Sequence, residues 1–314
     1  MFSPLRASNR AIFVGLCLMV AITAPVFVWG GSKTKTIYVD KDNTKGTQDG
    51  SKDHPYRKIG TALDHAKGKT VIYVGKGQYK ENIRLPKDTK LVGGKDKSDV
   101  VIVGDNDKPT ITMKEDTEIN KITVKGGRHG VRVEENAEAR IIQSIIKDSA
   151  RDGVHIDRGT LAKKDQVFIE KTDIKGSKMA GIFSEKRHVI VMDCEITRNA
   201  DGIDFTSGVK AWFQDNFIND NRGSGAKFVL DGSSIWSKNN QFRRNGREGI
   251  EVNAYGAAGS VGLKKAKIAD NKHYGITRVA RTPAGAKTFG NLFLENIWNQ
   301  GNAIGNLSPI FLLK

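Results

Sequence analysis

The sequence predicts an all-β fold, a right-handed single-stranded parallel β-helix of about ten coils with an N-terminal capping helix. A four-residue motif recurs along the chain: Gly, an apolar residue, any residue and, in most copies, a second apolar residue. A further short apolar strand lies between successive copies. Gly is abundant at 34 residues and Pro is scarce at 7, a balance that suits many tight turns between short strands.

The repeat is short and slightly irregular. The motif begins at signature glycines that lie 21 to 28 residues apart, namely Gly130, Gly153, Gly181, Gly202, Gly225, Gly249 and Gly275. A unit of this length is too short for a propeller blade of about 40–45 residues but fits one coil of a solenoid. Because one coil cannot bury its apolar face alone, the coils must stack, and parallel crossovers of this kind are right-handed.

The first coil of a solenoid needs a cover, and residues 55–67 predict a helix that provides it. Its apolar residues recur at helical spacing, at Ile59, Ala62, Leu63 and Ala66. Strands follow from Thr70 onward without a break in composition. Residues 33–314 are therefore predicted to form one β-helix domain.

The N-terminal segment, residues 1–32, has a different character. Arg6 and Arg10 precede an uncharged apolar stretch that runs from Ala11 to Ser32. This stretch is longer than the apolar part of most cleaved signals, about 7–15 residues, and close to the roughly 20 residues of a membrane span. We expect either a signal peptide or a membrane anchor, and both place residues 33–314 outside the cytoplasm.

The charge balance points to an anionic partner. Lys and Arg total 51 against 35 for Asp and Glu, a formal net charge of +16. Export argues against nucleic acid and leaves an acidic polysaccharide as the expected partner, with membrane contact through the N-terminal segment. Residues 33–314 contain one cysteine, Cys194, so this region has no internal disulfide and its stability must come from the core.

Several segments resemble the pectin-lyase-like right-handed β-helix superfamily over about residues 35–314. They are Thr36–Asp40, Thr70–Val74, Gly77–Glu81 and the repeated Gly-Ile motifs. The resemblance implies the fold but not one activity, because the superfamily includes lyases, hydrolases, epimerases, esterases and adhesins.

One strand, Asn199 to Gly208, resembles the polygalacturonase motif in which the first Asp is catalytic, and this resemblance would assign that role to Asp201. The paired Asp that this family carries on the next coil is missing here, where the chain reads Gly-Ser-Gly-Ala-Lys-Phe at residues 223–228. The resemblance therefore favours a lyase or an epimerase over a glycoside hydrolase.

Strand alternation predicts two lines of side chains along the solenoid. The variable position inside the motif points outward and forms an outer row of Arg132, His155, Phe183, Asp204, Lys227, Glu251 and Thr277. The position before each signature glycine forms a flanking row of His129, Asp152, Ala180, Asp201, Ser224, Glu248 and Tyr274.

These rows supply candidates for cleaving uronates by elimination, which needs a cation at the sugar carboxylate, a base for the C5 proton and an acid for the leaving oxygen. The catalytic candidates are His155, Asp201, Asp204, Arg132 and Arg151. The substrate-binding candidates are Arg128, Arg158, Phe183, Lys227 and Tyr274. Asp152, Asp157 and Asp201 could hold a Ca²⁺ ion that bridges to the substrate, because hard cations take oxygen ligands.

The same pattern has a structural interpretation. Asp204, Lys227 and Glu251 alternate in sign on successive coils, and opposite charges about 4.8 Å apart stabilise a surface without any substrate. The sequence thus leaves two functions open. One is an enzyme of the lyase or epimerase type, and the other is a non-catalytic glycan-binding, adhesive or structural envelope protein.

Overall fold

The computed structural model describes residues 34–161 and 165–313. The segment 1–32, expected to be a signal peptide or an anchor, lies outside these residues. Within the described part of the chain, no helix combines the length and the apolar character that a membrane crossing requires.

Each coil contributes one strand to each of three parallel sheets, which we number in chain order. The first sheet contains β1 (Lys35–Val39), β2 (Thr70–Val74), β5 (Thr89–Val92), β8 (Thr117–Asn120), β11 (Ala139–Ile142), β14 (Gln166–Glu170), β17 (His188–Met192), β20 (Lys210–Gln214), β23 (Ser234–Lys238), β26 (Ser260–Lys264) and β29 (Leu292–Glu295). The second contains β3 (Gly77–Lys80), β6 (Val100–Gly104), β9 (Thr123–Gly126), β12 (Ile145–Lys147), β15 (Asp173–Lys175), β18 (Glu195–Thr197), β21 (Phe217–Asn219), β24 (Gln241–Arg243), β27 (Lys267–Ala269) and β30 (Trp298–Gln300). The third contains β4 (Ile83–Leu85), β7 (Ile111–Met113), β10 (Val131–Val133), β13 (Val154–Ile156), β16 (Ala180–Ser184), β19 (Asp201–Phe205), β22 (Ala226–Val229), β25 (Ile250–Ala254), β28 (Tyr274–Ala280) and β31 (Gly305–Leu312).

The predicted fold class is confirmed. The described residues form sheets of 11, 10 and 10 strands, in line with the prediction of about ten coils. The apolar residues of the signature motifs point into a continuous core: Val131, Val154, Ile182, Ile203, Ala226, Ile250 and Ile276 are all fully buried. Stability therefore comes from apolar side chains stacked along the solenoid axis.

The capping helix is present but shorter than predicted. Helix α1 spans Ile59–Asp64, and its residues Ile59, Ala62 and Leu63 are buried. The carboxylate of Glu81 accepts hydrogen bonds from the backbone N–H groups of Ile59 and Gly60, at 2.9 and 2.8 Å, and so caps the helix from a neighbouring coil. A second helix, α2 (Pro283–Thr288), and a 3₁₀-helix (Phe289–Asn291) connect β28 to β29 and were not predicted.

The signature glycines are required by close stacking and not by an unusual backbone angle. A Cβ atom added to Gly202 would lie 2.3 Å from the carbonyl oxygen of Gly225 on the next coil. At Gly130, Gly153 and Gly181 the corresponding distances to the next signature glycine are 2.8, 2.7 and 2.6 Å. Since real Cβ atoms do not approach an oxygen this closely, any side chain here would push two coils apart.

A column of buried asparagines ties the coils together at a corner of the solenoid. Asn199, Asn221, Asn245 and Asn271 each donate a hydrogen bond from Nδ2 to Oδ1 of the asparagine on the next coil, at 3.2, 3.1, 3.0 and 2.8 Å, with Asn302 the last in the column. These asparagines therefore have a structural role. The left-handed backbone conformation falls on the residue before each of the first four, with φ of 58, 57, 51 and 59°.

Replacing Asn221 with Ala should destabilise the protein strongly. Its side chain accepts hydrogen bonds from N and Nδ2 of Asn199 and donates to the carbonyl oxygen of Ile196, all inside the core. Because a buried polar group left without a partner costs about 1–3 kcal/mol, the free energy of unfolding should fall by about 3 kcal/mol or more. Chemical denaturation measures this change, and the exposed Asn106→Ala should stay within about 0.5 kcal/mol of the parent. An equal effect of both variants would contradict the role of the column.

Candidate functional site

The third sheet aligns the outer row as the sequence predicts. Its backbone pairing places Arg132 beside His155, His155 beside Phe183, and Phe183 beside Asp204. Further along, Asp204 lies beside Lys227, Lys227 beside Glu251, and Glu251 beside Thr277. One face of the solenoid therefore presents an ordered line of side chains, one per coil.

The N-terminal part of this face holds two histidines around one buried carboxylate. Oδ2 of Asp152 lies 3.0 Å from Nδ1 of His155 and 3.3 Å from Nδ1 of His129. Oδ1 of Asp152 accepts a hydrogen bond from the backbone N–H of Ala180 at 3.1 Å. The carboxylate that the flanking row predicted next to His155 is thus in hydrogen-bond reach of that ring.

These contacts and the burial of the cluster shift the pKa values of Asp152 and His129. Burial of Asp152 would raise its pKa, but the interactions of its carboxylate with the imidazoles of His129 and His155 outweigh burial and lower the pKa to about 2. Burial also dominates at His129, where it lowers the pKa below the usual range despite the neighbouring carboxylate. Asp152 is therefore an anion across the physiological range.

An open cavity of about 450 Å³ lies over this cluster. Arg132 lines it and is bound by the carboxylate of Asp157, with Nη2 to Oδ2 at 2.7 Å. Lys108, Arg128 and Arg151 also line it, and none of these three forms an ion pair with any described residue. Asp107 lies on the same rim, so the cations that lack an ion pair outnumber the free acids around the opening.

A buried arginine holds the polar insertion that follows β13. Arg187 is fully buried and donates hydrogen bonds to the backbone carbonyl oxygens of Glu134, Asp157 and Asp165. This anchor fixes the chain at Asp157, next to the cavity. Arg158, one residue further, points elsewhere: its guanidinium is exposed, lies 3.7 Å from Glu185 and does not line the cavity.

Asp201, Asp204 and Lys227 form the next part of the face. Lys227 binds Oδ2 of Asp201 at 2.7 Å, and Oδ1 of Asp201 accepts from the backbone N–H of Ser224 at 2.8 Å. Burial raises the pKa of Asp204 to about 6, and the nearby Lys227 offsets only part of that effect. Lys227 thus pairs with the flanking-row carboxylate and leaves Asp204 as a weak acid that is half-buried.

The remaining predicted residues are spread along the sheet. The ring of Phe183 stacks on His155 with centroids 4.9 Å apart and the planes 7° from parallel. Tyr274 lies beyond Lys227 and Glu251 and lines a separate cavity with Glu248, His273 and Phe311 of β31. The three carboxylates predicted to bind Ca²⁺ have different partners: histidines at Asp152, Arg132 at Asp157, and Lys227 at Asp201.

Two residues of the site, Lys108 and His129, were not among the predicted catalytic, substrate-binding or metal-binding residues. Lys108 lies in the turn before β7, outside the repeats that defined the two rows. His129 was placed in the flanking row, but its contact with Asp152 depends on the path of the turn at Gly126 and Gly127, which both have left-handed φ. The consecutive glycines Gly126 and Gly127, one residue removed from His129, were the signal that the chain turns sharply there.

Comparisons with known proteins agree with the fold. The family model described as "Protein of unknown function (DUF1565)" matches residues 43–229, and the model described as "Right handed beta helix region" matches residues 158–306. The solved structure of the pectate lyase Pel9A is similar with a TM-score of 0.57 and 12% identity, over 87% of this chain and 80% of that one. The structure of XylC in complex with xylose has a TM-score of 0.57 and 9% identity, over 79% of this chain and 67% of that one. No curated protein sequence matches.

The raised pKa of Asp204 predicts that Asp204→Asn stabilises the protein at neutral pH. The folded state favours the protonated acid, so this contribution to stability is complete below about pH 4 and is lost as the pH rises through about 6. Above pH 6 the variant should be more stable than the parent by up to about 3 kcal/mol, and the difference should vanish near pH 4. Unfolding midpoints across this pH range, with the exposed Asp53→Asn as control, measure it. A difference that does not depend on pH would contradict this prediction.

Proposed function

Since this chain belongs to the family described as "Protein of unknown function (DUF1565)", we propose its function from the site itself: the protein binds an acidic polysaccharide along its third sheet. The proposal is carried by Lys108, Arg128 and Arg151, which surround one open cavity without an ion pair to any described residue. Cations in a concave site attract anions more strongly than the same cations on a flat surface. Carboxylates of a polysaccharide provide such anions at regular intervals.

The shape of the face supports a polymer as the ligand. The cavity is open and continues into the outer row, where one side chain follows another on successive coils. Phe183 lies next in that row and offers part of its ring to solvent, and sugar rings stack on such surfaces. The fold shared with the pectate lyase Pel9A agrees with this ligand class, because that enzyme acts on pectate, an acidic polysaccharide.

Removing two of the unpaired cations should weaken binding. For the double variant Lys108→Ala/Arg128→Ala, affinity for polygalacturonate or alginate should fall roughly tenfold, since an exposed charge contact contributes about 0.2–1 kcal/mol. Binding is measured by calorimetry at low ionic strength, and added salt should reduce affinity less in the variant than in the parent.

The matched control removes two positive charges from the first sheet. Lys210 and Lys238 lie on β20 and β23, away from the cavity, and neither forms an ion pair with a described residue. The variant Lys210→Ala/Lys238→Ala should bind like the parent. Equal losses in both double variants would show attraction by net charge alone and would overturn the proposed site.

A second candidate, elimination or epimerisation of bound uronates, is favoured by one observation: the half-buried Asp204 has a pKa near neutral pH. A general base works best when its pKa is close to the working pH. In elimination the Asp204 carboxylate takes the C5 proton, the C4–O bond breaks, and the departing oxygen takes a proton from water. Lys227, which lies beside Asp204 in the sheet, is the cation placed to neutralise the carboxylate of that same sugar, which makes its C5 proton more acidic. In epimerisation the C4–O bond stays intact, and water delivers a proton to C5 from the opposite face.

Catalysis is tested by incubating the protein with polygalacturonate and alginate and following the unsaturated product and, by NMR, inversion at C5. If Asp204 is the base, Asp204→Asn should reduce turnover by about a hundredfold or more, whereas Asp53→Asn should leave it unchanged. Neither product from the parent protein, together with intact binding, would overturn catalysis and leave glycan binding as the function.

A further inference from the structure

We propose that His129, Asp152 and His155 form a binding site for a divalent transition metal ion of the Zn²⁺ class. The three residues come from two adjacent coils: His129 lies before β10, Asp152 before β13 and His155 within β13. Each offers one ligand atom, and these atoms all lie within 4.8 Å of one another. The proposal does not depend on a polysaccharide ligand.

The spacing of the donor atoms fits a bound ion. Zn²⁺ lies about 2.0–2.2 Å from nitrogen and oxygen ligands, so two ligands on one tetrahedral ion are about 3.3–3.6 Å apart. Oδ2 of Asp152 lies 3.3 Å from Nδ1 of His129 and 3.0 Å from Nδ1 of His155. Binding would therefore require the donor atoms to move apart by only a few tenths of an ångström.

An unsatisfied nitrogen gives independent support. His129 is only 7% exposed, and its Nδ1 is buried without an aligned hydrogen bond even though Asp152 is near. A buried polar atom without a hydrogen bond is costly and calls for an explanation. A metal ion at the centre of the cluster would use the lone pair of this nitrogen.

The surroundings orient the ligands as in known metal sites. Oδ1 of Asp152 is held by the backbone N–H of Ala180, which leaves Oδ2 for the ion. On His155 the other ring nitrogen, Nε2, lies 3.5 Å from Oδ1 of Asp157, and Arg132 fixes that carboxylate with two nitrogens. A carboxylate behind a metal-bound histidine fixes its ring and raises its basicity.

The ligand types decide the class of ion. Two imidazoles and one carboxylate suit Zn²⁺ and its first-row neighbours, whereas Ca²⁺ prefers six to eight oxygen ligands. With three protein ligands, the ion keeps an open position. His129 and His155 line the cavity that also carries Arg128 and Arg151, so an anionic oxygen could occupy that position.

The test uses the purified full chain after treatment with a chelator. Titration with Zn²⁺ by calorimetry should give one ion per chain, and Co²⁺ should give the visible absorption of a site with nitrogen ligands. His129→Gln and His155→Gln should each weaken Zn²⁺ binding by more than about a hundredfold, and Asp157→Asn by about tenfold, as expected for a group behind the ligands.

His273→Gln is the matched control, because His273 contacts the buried Glu248 at 3.1 Å on the same face but lacks a second histidine. It should bind Zn²⁺ within twofold of the parent. Zn²⁺ binding that is absent in the parent, or that both His129→Gln and His155→Gln retain, would overturn the proposal. Should one variant fail to fold by circular dichroism, the other variant and the Co²⁺ spectrum of the parent decide.

Discussion

One close contact between coils recurs along the third sheet, where each signature glycine from Gly130 to Gly249 faces the carbonyl oxygen of the signature glycine on the next coil. A Cβ atom at Gly202 would lie 2.3 Å from the carbonyl oxygen of Gly225. If one coil slipped by a residue, a residue with a Cβ atom would take the place of the glycine and cause this clash. This contact fixes the register of the strands that begin at these glycines. The same register aligns the side chains of the outer and flanking rows. The positions of the site residues therefore depend on a backbone contact in which none of their side chains takes part.

The register explains why so much of the face could be predicted from the sequence. Once the glycines define where each strand begins, alternation decides which residues point outward, and the order from Arg132 to Thr277 follows. The buried asparagine column could be predicted for the same reason, since its members lie three or four residues before the signature glycines. Features that repeat with the coil are visible in a single sequence because stacking turns equal spacing into contact.

Side-chain pairing could not be predicted, because it depends on reach and on local turns. Lys227 lies directly beside Asp204 in the sheet but binds Asp201. Arg132 binds the carboxylate of Asp157 in the insertion, and the buried Arg187 donates a hydrogen bond to the backbone carbonyl oxygen of Asp157. The repeat pattern predicts neither contact. Each choice changes the chemistry: had Lys227 bound Asp204, the pKa of Asp204 would not lie near 6.

The arrangement along the solenoid axis also limits the size of the proposed ligand. His155 and Asp204 are separated in the outer row by Phe183, which places them two strand spacings, about 9.6 Å, apart at the backbone. Phe183 stacks flat on His155, so this ring lies between the two groups and keeps the imidazole away from the acid. A ligand held by the cations beside His155 must extend past Phe183 before it meets Asp204. The geometry therefore suits a chain of sugars lying along the axis and not a single uronic acid.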